Sequence, residues 1–279
     1  MKLKVIDDLL GNRLFCLWLS GVVWFGGFAA FAELAQPFSS VFQSSAAGMF
    51  LSSVVCMGAA FVSLAFLLRG KFNFGEAAAL LAVGILANLM VYSLFAGMAA
   101  RMVVGFSIIA GGFGLGSMLA RLVETPRHVM PIGIVAAVAD TWSVFTGPTK
   151  RIMESKNAEL AMKHAFVGQP GAEAAEVRPV AGAADLVFVA LFLCIAARLG
   201  LSVWKSAVGM FAGLVVGLAA ATLWGGLPGL PFIAGGFVIA NWKRVRPGKT
   251  EIVKTSIFVA ALLLAFAAVA LITGKYATR

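Results

Sequence analysis

Charge is scarce in this chain. Asp, Glu, Lys and Arg make up 12% of its 279 residues, against about 25% in a soluble domain. With 61% hydrophobic residues and a mean hydropathy of +0.97, an ordinary soluble globule is excluded. Cysteine and histidine are scarcer still, at three and two. Cys16, Cys56 and Cys194 lie in apolar runs without a Cys or His at ligand spacing, so they read as small buried hydrophobes. His128 and His164 sit in polar segments and also lack ligand-spaced partners. There is no Ser/His/acid set and no His-Glu-x-x-His, which leaves serine and zinc hydrolysis without support. No basic stripe is interleaved with aromatics in a polar segment, so nucleic acid is not an expected partner. Soluble domains and internal repeats are missing too, and no metal or organic cofactor is implied.

What the chain has in plenty is continuous apolar sequence. The runs 14–34, 46–68, 77–99, 102–120, 129–147, 182–200, 204–223, 228–242 and 255–273 predict nine spans. Most approach the roughly 20 residues that cross about 30 Å of hydrocarbon. Barrel strands would instead alternate over about ten residues. The expected fold is therefore an all-α, polytopic membrane helix bundle of about nine transmembrane helices, with the lipid bilayer as its solvent. The run 14–34 is too long for the 7–15-residue core of a signal peptide and reads as a retained span. Spans three and four are separated by little more than Ala100-Arg101, which predicts a tight hairpin there.

The organisation follows from these runs. Residues 1–128 form an N-terminal four-helix region, 129–254 a second region, and 255–279 an additional C-terminal helix. The second region holds the one sizeable polar loop, 148–180. Within it, Met153–Phe166 predicts a short interfacial helix and Gly168–Pro179 a flexible connection. Lys and Arg concentrate in segments that lie inside if the N-terminus is inside, above all Lys243, Arg244, Arg246, Lys249 and Lys254. That asymmetry predicts a multi-pass protein with its N-terminus inside and the loop 148–180 outside.

Glycine patterns read as packing. Gly111-Gly-Phe-Gly-Leu-Gly116 lacks the spacing, the preceding strand and the Lys-Ser/Thr of a nucleotide loop. Gly209, Gly213 and Gly217 fall on one helical face, which lets backbones approach and predicts a packed inner helix. Glu33 lies near the end of its span, where a carboxylate reaches the interface.

Two acids cannot be dismissed in that way. Asp140 ends the run Pro131-Ile-Gly-Ile-Val-Ala-Ala-Val-Ala-Asp140 and continues into Thr-Trp-Ser-Val-Phe145. Asp185 lies in Ala181-Gly-Ala-Ala-Asp185-Leu-Val-Phe188. An ionised Asp at the centre of a membrane helix costs about 2.5–3.5 kcal/mol on insertion scales. A chain that carries such a cost twice has a use for it. The pair alone divides evenly between proton- or cation-coupled transport and hydrolysis.

Local sequence separates the two. Gly182-Ala-Ala-Asp185 followed by Leu-Val-Phe resembles the Gly-x-Gly-Asp motif of intramembrane aspartyl proteases. Asp140-Thr-Trp-Ser-Val-Phe145 resembles their other catalytic helix, and Leu227-Pro228-Gly229-Leu230-Pro231 resembles their Pro-Ala-Leu motif. All three stand in the family's chain order, so residues 129–242 resemble the presenilin and signal peptide peptidase family, as a distant prokaryotic-type member. The chain departs from it at Ala184 for the second glycine, at Gly229 for the alanine and at Ala139 for a frequent tyrosine. Type IV prepilin peptidases share Gly-x-Gly-Asp but usually place a Lys two residues later, where this chain has Val187.

The resemblance implies an aspartic endopeptidase of a prokaryotic inner membrane. Its catalytic residues would be Asp140 and Asp185. Gly182, Ala183, Ala184, Pro228, Gly229 and Leu230 would bind substrate. The implied partners are membrane-spanning peptides or proteins, including signal-peptide remnants. Transport by the same carboxylates, or an inactive relative, remains the alternative.

Overall fold

The computed structural model describes residues 12–35, 46–95, 97–156, 158–168, 179–224 and 226–277. In chain order come α1 (Arg13–Ala35), α2 (Ala46–Arg69), α3 (Phe74–Leu94) and α4 (Gly97–Ala120). After a 3-10 turn at Pro126–His128 follow α5 (Val129–Phe145), α6 (Pro148–Met153) and α7 (Ala158–Ala165). Two strands, β1 (Phe166–Gly168) and β2 (Pro179–Gly182), lead into α8 (Ala183–Arg198). The chain closes with α9 (Val203–Trp224), α10 (Leu230–Val245) and α11 (Lys249–Ala277). This is a helical integral membrane protein.

Among the described residues seven helices are long and apolar enough to cross a membrane, where nine spans were expected. While α5, at 17 residues, reaches spanning length only within the stretch Pro126–Met153, the two predicted spans outside this set are α8 and α10, at 16 residues each. At about 1.5 Å per residue each covers about 24 Å, less than the hydrocarbon thickness. Their missing turns have identifiable causes. Residues 179–182 are taken by β2, so α8 begins only at Ala183. Pro228 and Gly229 lie ahead of α10, and Pro231 stands in its first turn, where a proline's missing N–H is harmless.

The helices sort into two compact units. The first holds α1 to α4, the two strands and α8. Its centre is α4, with Val104, Ile108, Ile109 and Phe113 buried. Glycines bring its neighbours close, as the Gly111–Gly116 run predicts. A Cβ on Gly84 of α3 would lie 2.7 Å from the Ser107 carbonyl of α4. On the other side, a Cβ on Gly116 would lie 2.6 Å from the Val187 carbonyl of α8. The buried Trp24 of α1 donates its indole N–H to the Met102 carbonyl at 2.8 Å. Asn73 and Glu76 form a reciprocal capping box at the head of α3, and Glu76 also pairs with Arg13 of α1.

The α3–α4 break is not at Ala100-Arg101. It falls at Phe95 and Gly97, whose φ of 59° is free of steric cost only for glycine. Arg101 consequently lies inside α4 and is only 9% exposed.

The second unit holds α5, α9, α10 and α11. The Gly209, Gly213, Gly217 face of α9 lies on Phe232 and Gly236 of α10, so close that Gly213 has no room for a Cβ beside the Phe232 carbonyl. Asn241 of α10 donates to the Ser206 hydroxyl of α9 at 2.9 Å. However, α9 is not the enclosed inner helix that was expected. Its other face carries Trp204 and Val208, 77% and 47% exposed. Small residues at this spacing specify one close neighbour, not enclosure. On α5, Trp142 stacks on Phe266 of α11 with ring centroids 4.1 Å apart and planes at 10°.

The polar loop has more structure than its composition indicates. Its helix covers Ala158–Ala165 instead of the whole of 153–166, and Phe166 already belongs to β1. The strands pair antiparallel, Phe166 with Gly182 and Val167 with Ala181. The expected flexible connection lies outside the described residues over 169–178, with Gly168 and Pro179 themselves in strands.

Candidate functional site

Asp185 lies in the first turn of α8. Its Oδ2 accepts the N–H of Gly182 at 2.9 Å. Gly182 is the last residue of β2, so the carboxylate closes the junction between strand and helix. The first N–H groups of any helix lack intrahelical partners, and an acid three residues into the chain's turn can satisfy one of them. Ala183 and Ala184, expected near substrate, form the start of the same turn, with Ala184 exposed.

Asp140 does the equivalent job across a tertiary contact. It sits near the C-terminal end of α5, and its Oδ2 accepts the N–H of Leu230 at 3.0 Å. Leu230 opens α10, so here too an aspartate satisfies the free amide at the head of a short helix. Ninety positions separate the partners in sequence. The structure thus brings Asp140 to Pro228-Gly229-Leu230, and Asp185 to Gly182-Ala183-Ala184. Pro228 and Leu230 are buried.

The setting of α5 is fixed by other bonds as well. Thr141 donates back to the Ala137 carbonyl at 2.7 Å, and Ser143 shares a 2.7 Å hydroxyl contact with Thr149 of α6. Asp140 belongs to the second unit and Asp185 to the first. Among the described residues no group of three or more His, Cys, Asp or Glu is arranged to hold a metal ion.

A polar cluster in the first unit went unread in the sequence. His164 Nδ1 lies 2.7 Å from Asn88 Oδ1. The Asn88 amide donates to the His164 carbonyl at 3.1 Å and to the Ser107 hydroxyl at 3.2 Å. Tyr92 meets the His164 ring edge to face. These contacts tie the end of α7, and with it the start of β1, to α3 and α4. Asn88 gave a signal, since an amide inside an apolar run needs a partner on another element. Arg101 gave the same signal, obscured by its assignment to a turn.

No family model, no curated protein and no solved structure matches the chain.

Proposed function

We propose that this protein is an aspartic endopeptidase that hydrolyses peptide bonds in transmembrane segments or signal-peptide remnants. The observation that carries the reading is the bond between Asp140 and the Leu230 amide. It joins one of the two aspartates of the apolar runs to the irregular Pro-Gly-Leu segment. Shortness of α8 and α10 adds support, because hydrolysis needs water beside the carboxyls and a helix that falls short of the hydrocarbon thickness leaves room for it.

The chemistry uses Asp140 and Asp185 as one unit that shares a proton, as paired carboxyls do when both cannot ionise. The ionised group takes a proton from water as that water attacks the scissile carbonyl. The protonated group donates its proton to the carbonyl oxygen. As the C–N bond breaks, the proton taken from water passes to the leaving amine and a gem-diol hydroxyl returns a proton to the first donor, restoring the pair. A membrane helix hides its carbonyls, so the substrate must unwind before attack. Extended backbone at β2 suits an unwound chain, which can pair with it as an added strand. The reaction requires no metal or organic cofactor.

Purified protein in lipid vesicles, incubated with a panel of single-span peptides, should release fragments identifiable by mass spectrometry. A peptide mimic bearing a tetrahedral hydroxyl should block that release, because it copies the transition state. If no peptide is cut while protons or cations cross the membrane in an Asp140- and Asp185-dependent way, the protein is a transporter instead.

The proposal also places the protein in a prokaryotic inner membrane with its N-terminus inside. In a background lacking the three cysteines, a Lys156→Cys variant should react with an impermeant reagent only from outside. Reaction only from inside reverses the orientation.

A further inference from the structure

The second unit contains a groove of about 400 Å³. Met130 and Ile134 of α5 line it, with Trp242 of α10 and Ile252 and Val259 of α11. Arg246 stands at its edge and is exposed. The opening has a backbone cause. The chain leaves the helical conformation at Arg246, where ψ is 121°, and Pro247 follows. A residue before proline is held out of the helical region. Thus α10 and α11 separate at this end on either side of the start of α5. Further along, α11 returns to α5 at the Trp142–Phe266 stack.

Arg246 is the one charged residue among those that line the groove, and the segment it belongs to is mostly cationic. Lys243, Arg244, Lys249 and Lys254 accompany Arg246 in the segment 243–254, and Glu251 is the only acid there. Trp242 adds the amphipathic ring that favours headgroup depth. Apolar walls alone would not select an occupant inside a bilayer, because lipid tails are as apolar as the groove. Selection must come from the cationic edge.

We propose that this groove holds one anionic phospholipid, with its phosphate against Arg246 and its acyl chains against α5 and α11. The inference is independent of the catalytic reading. A cation near the membrane surface favours anionic lipid by an amount equal to about a fivefold preference.

Native mass spectrometry tests it on protein loaded from an equimolar mixture of phosphatidylglycerol and phosphatidylcholine with identical chains. Wild type should retain one lipid, with phosphatidylglycerol preferred about fivefold or more. Arg246→Gln should reduce that preference about fivefold. Ser256→Trp, which fills the groove from α11, should lose the retained lipid. Lys205→Gln removes an exposed cation from the same end of the neighbouring α9 and should leave the preference intact. The proposal fails if Arg246→Gln keeps the full preference. It fails equally if Lys205→Gln lowers it as much, because the effect is then diffuse surface charge. Displacement of the lipid by millimolar inorganic phosphate would also overturn it, since the acyl chains would then have no part in binding.

Discussion

Asp140→Asn and Asp185→Asn should each yield a folded membrane protein that cleaves no peptide. Asn is nearly isosteric with Asp, and its carbonyl oxygen still accepts a backbone N–H. The Leu230 amide at Asp140 and the Gly182 amide at Asp185 therefore keep a partner. Each variant should consequently unfold on heating within a few degrees of wild type. Catalysis is a different matter, because an amide can neither share the proton nor take one from water. General acid–base catalysis by one group contributes about 10²–10⁴-fold. Residues acting as a unit lose nearly everything together, so the double variant should be no worse than either single one. Asp140→Ala gives the contrasting result. It removes the acceptor as well as the acid, strands the Leu230 N–H and should cost about 1–3 kcal/mol. Fragment release and thermal unfolding, measured on the same preparations, separate the two roles. Peptide cleavage retained by both Asn variants would end the protease reading.

The largest stability effect is expected from Gly116→Leu. A Cβ at this position would lie 2.6 Å from the Val187 carbonyl oxygen and 2.7 Å from the Leu191 nitrogen. Both are backbone atoms of α8, so no side chain can turn aside. The whole helix must withdraw from α4. Leu186, Val189, Phe192 and Ile195, all buried to within 1% of full burial, would lose part of their packing. Overpacking of this kind costs about 1–3 kcal/mol, and more where backbone is displaced. The unfolding midpoint should fall clearly, and peptide cleavage should fall with it because α8 carries Asp185 in its first turn. Gly26→Leu is the control, since nothing lies within 4 Å of a Cβ there. If the Gly116 and Gly26 variants melt alike, the α4–α8 contact is not close-packed.

Helices α1 to α4, α5, α9 and α11 lie where apolar runs predict spans, because hydropathy averaged over a full crossing is a strong signal. The same average cannot tell whether an apolar residue is helical. It therefore extended α8 over Gly182 at its start and Leu199 and Gly200 at its end, and α10 over Pro228 and Gly229. The strands are three and four residues long, too short for an alternation to register, and each depends on a partner beyond the intervening loop. Both aspartates stood out as expensive acids. Their hydrogen bonds differed in legibility. The Asp185–Gly182 bond is local and follows from an acid placed at the third residue of a helix. The Asp140–Leu230 bond is tertiary, and only resemblance to a family grouped those segments beforehand. Asn88 and His164 were passed over because each was judged alone, although the contact that explains them spans 76 positions.

One consequence of the α5 contacts concerns insertions and deletions. Asp140 reaches α10 while Trp142, two residues on, stacks against α11. Two residues of an α-helix turn through about 200°, so the helix is gripped from nearly opposite sides, like a shaft between two bearings. Adding or removing one residue between Val129 and Asp140 would turn the remainder by about 100° and shift it by about 1.5 Å. Both grips would then miss their partners at once. Beyond Phe145, where the chain leaves α5, the same change would leave both grips in place and disturb only the short connection to α6 and its Ser143–Thr149 contact. Length variation in this protein is therefore tolerable after the helix and intolerable within it.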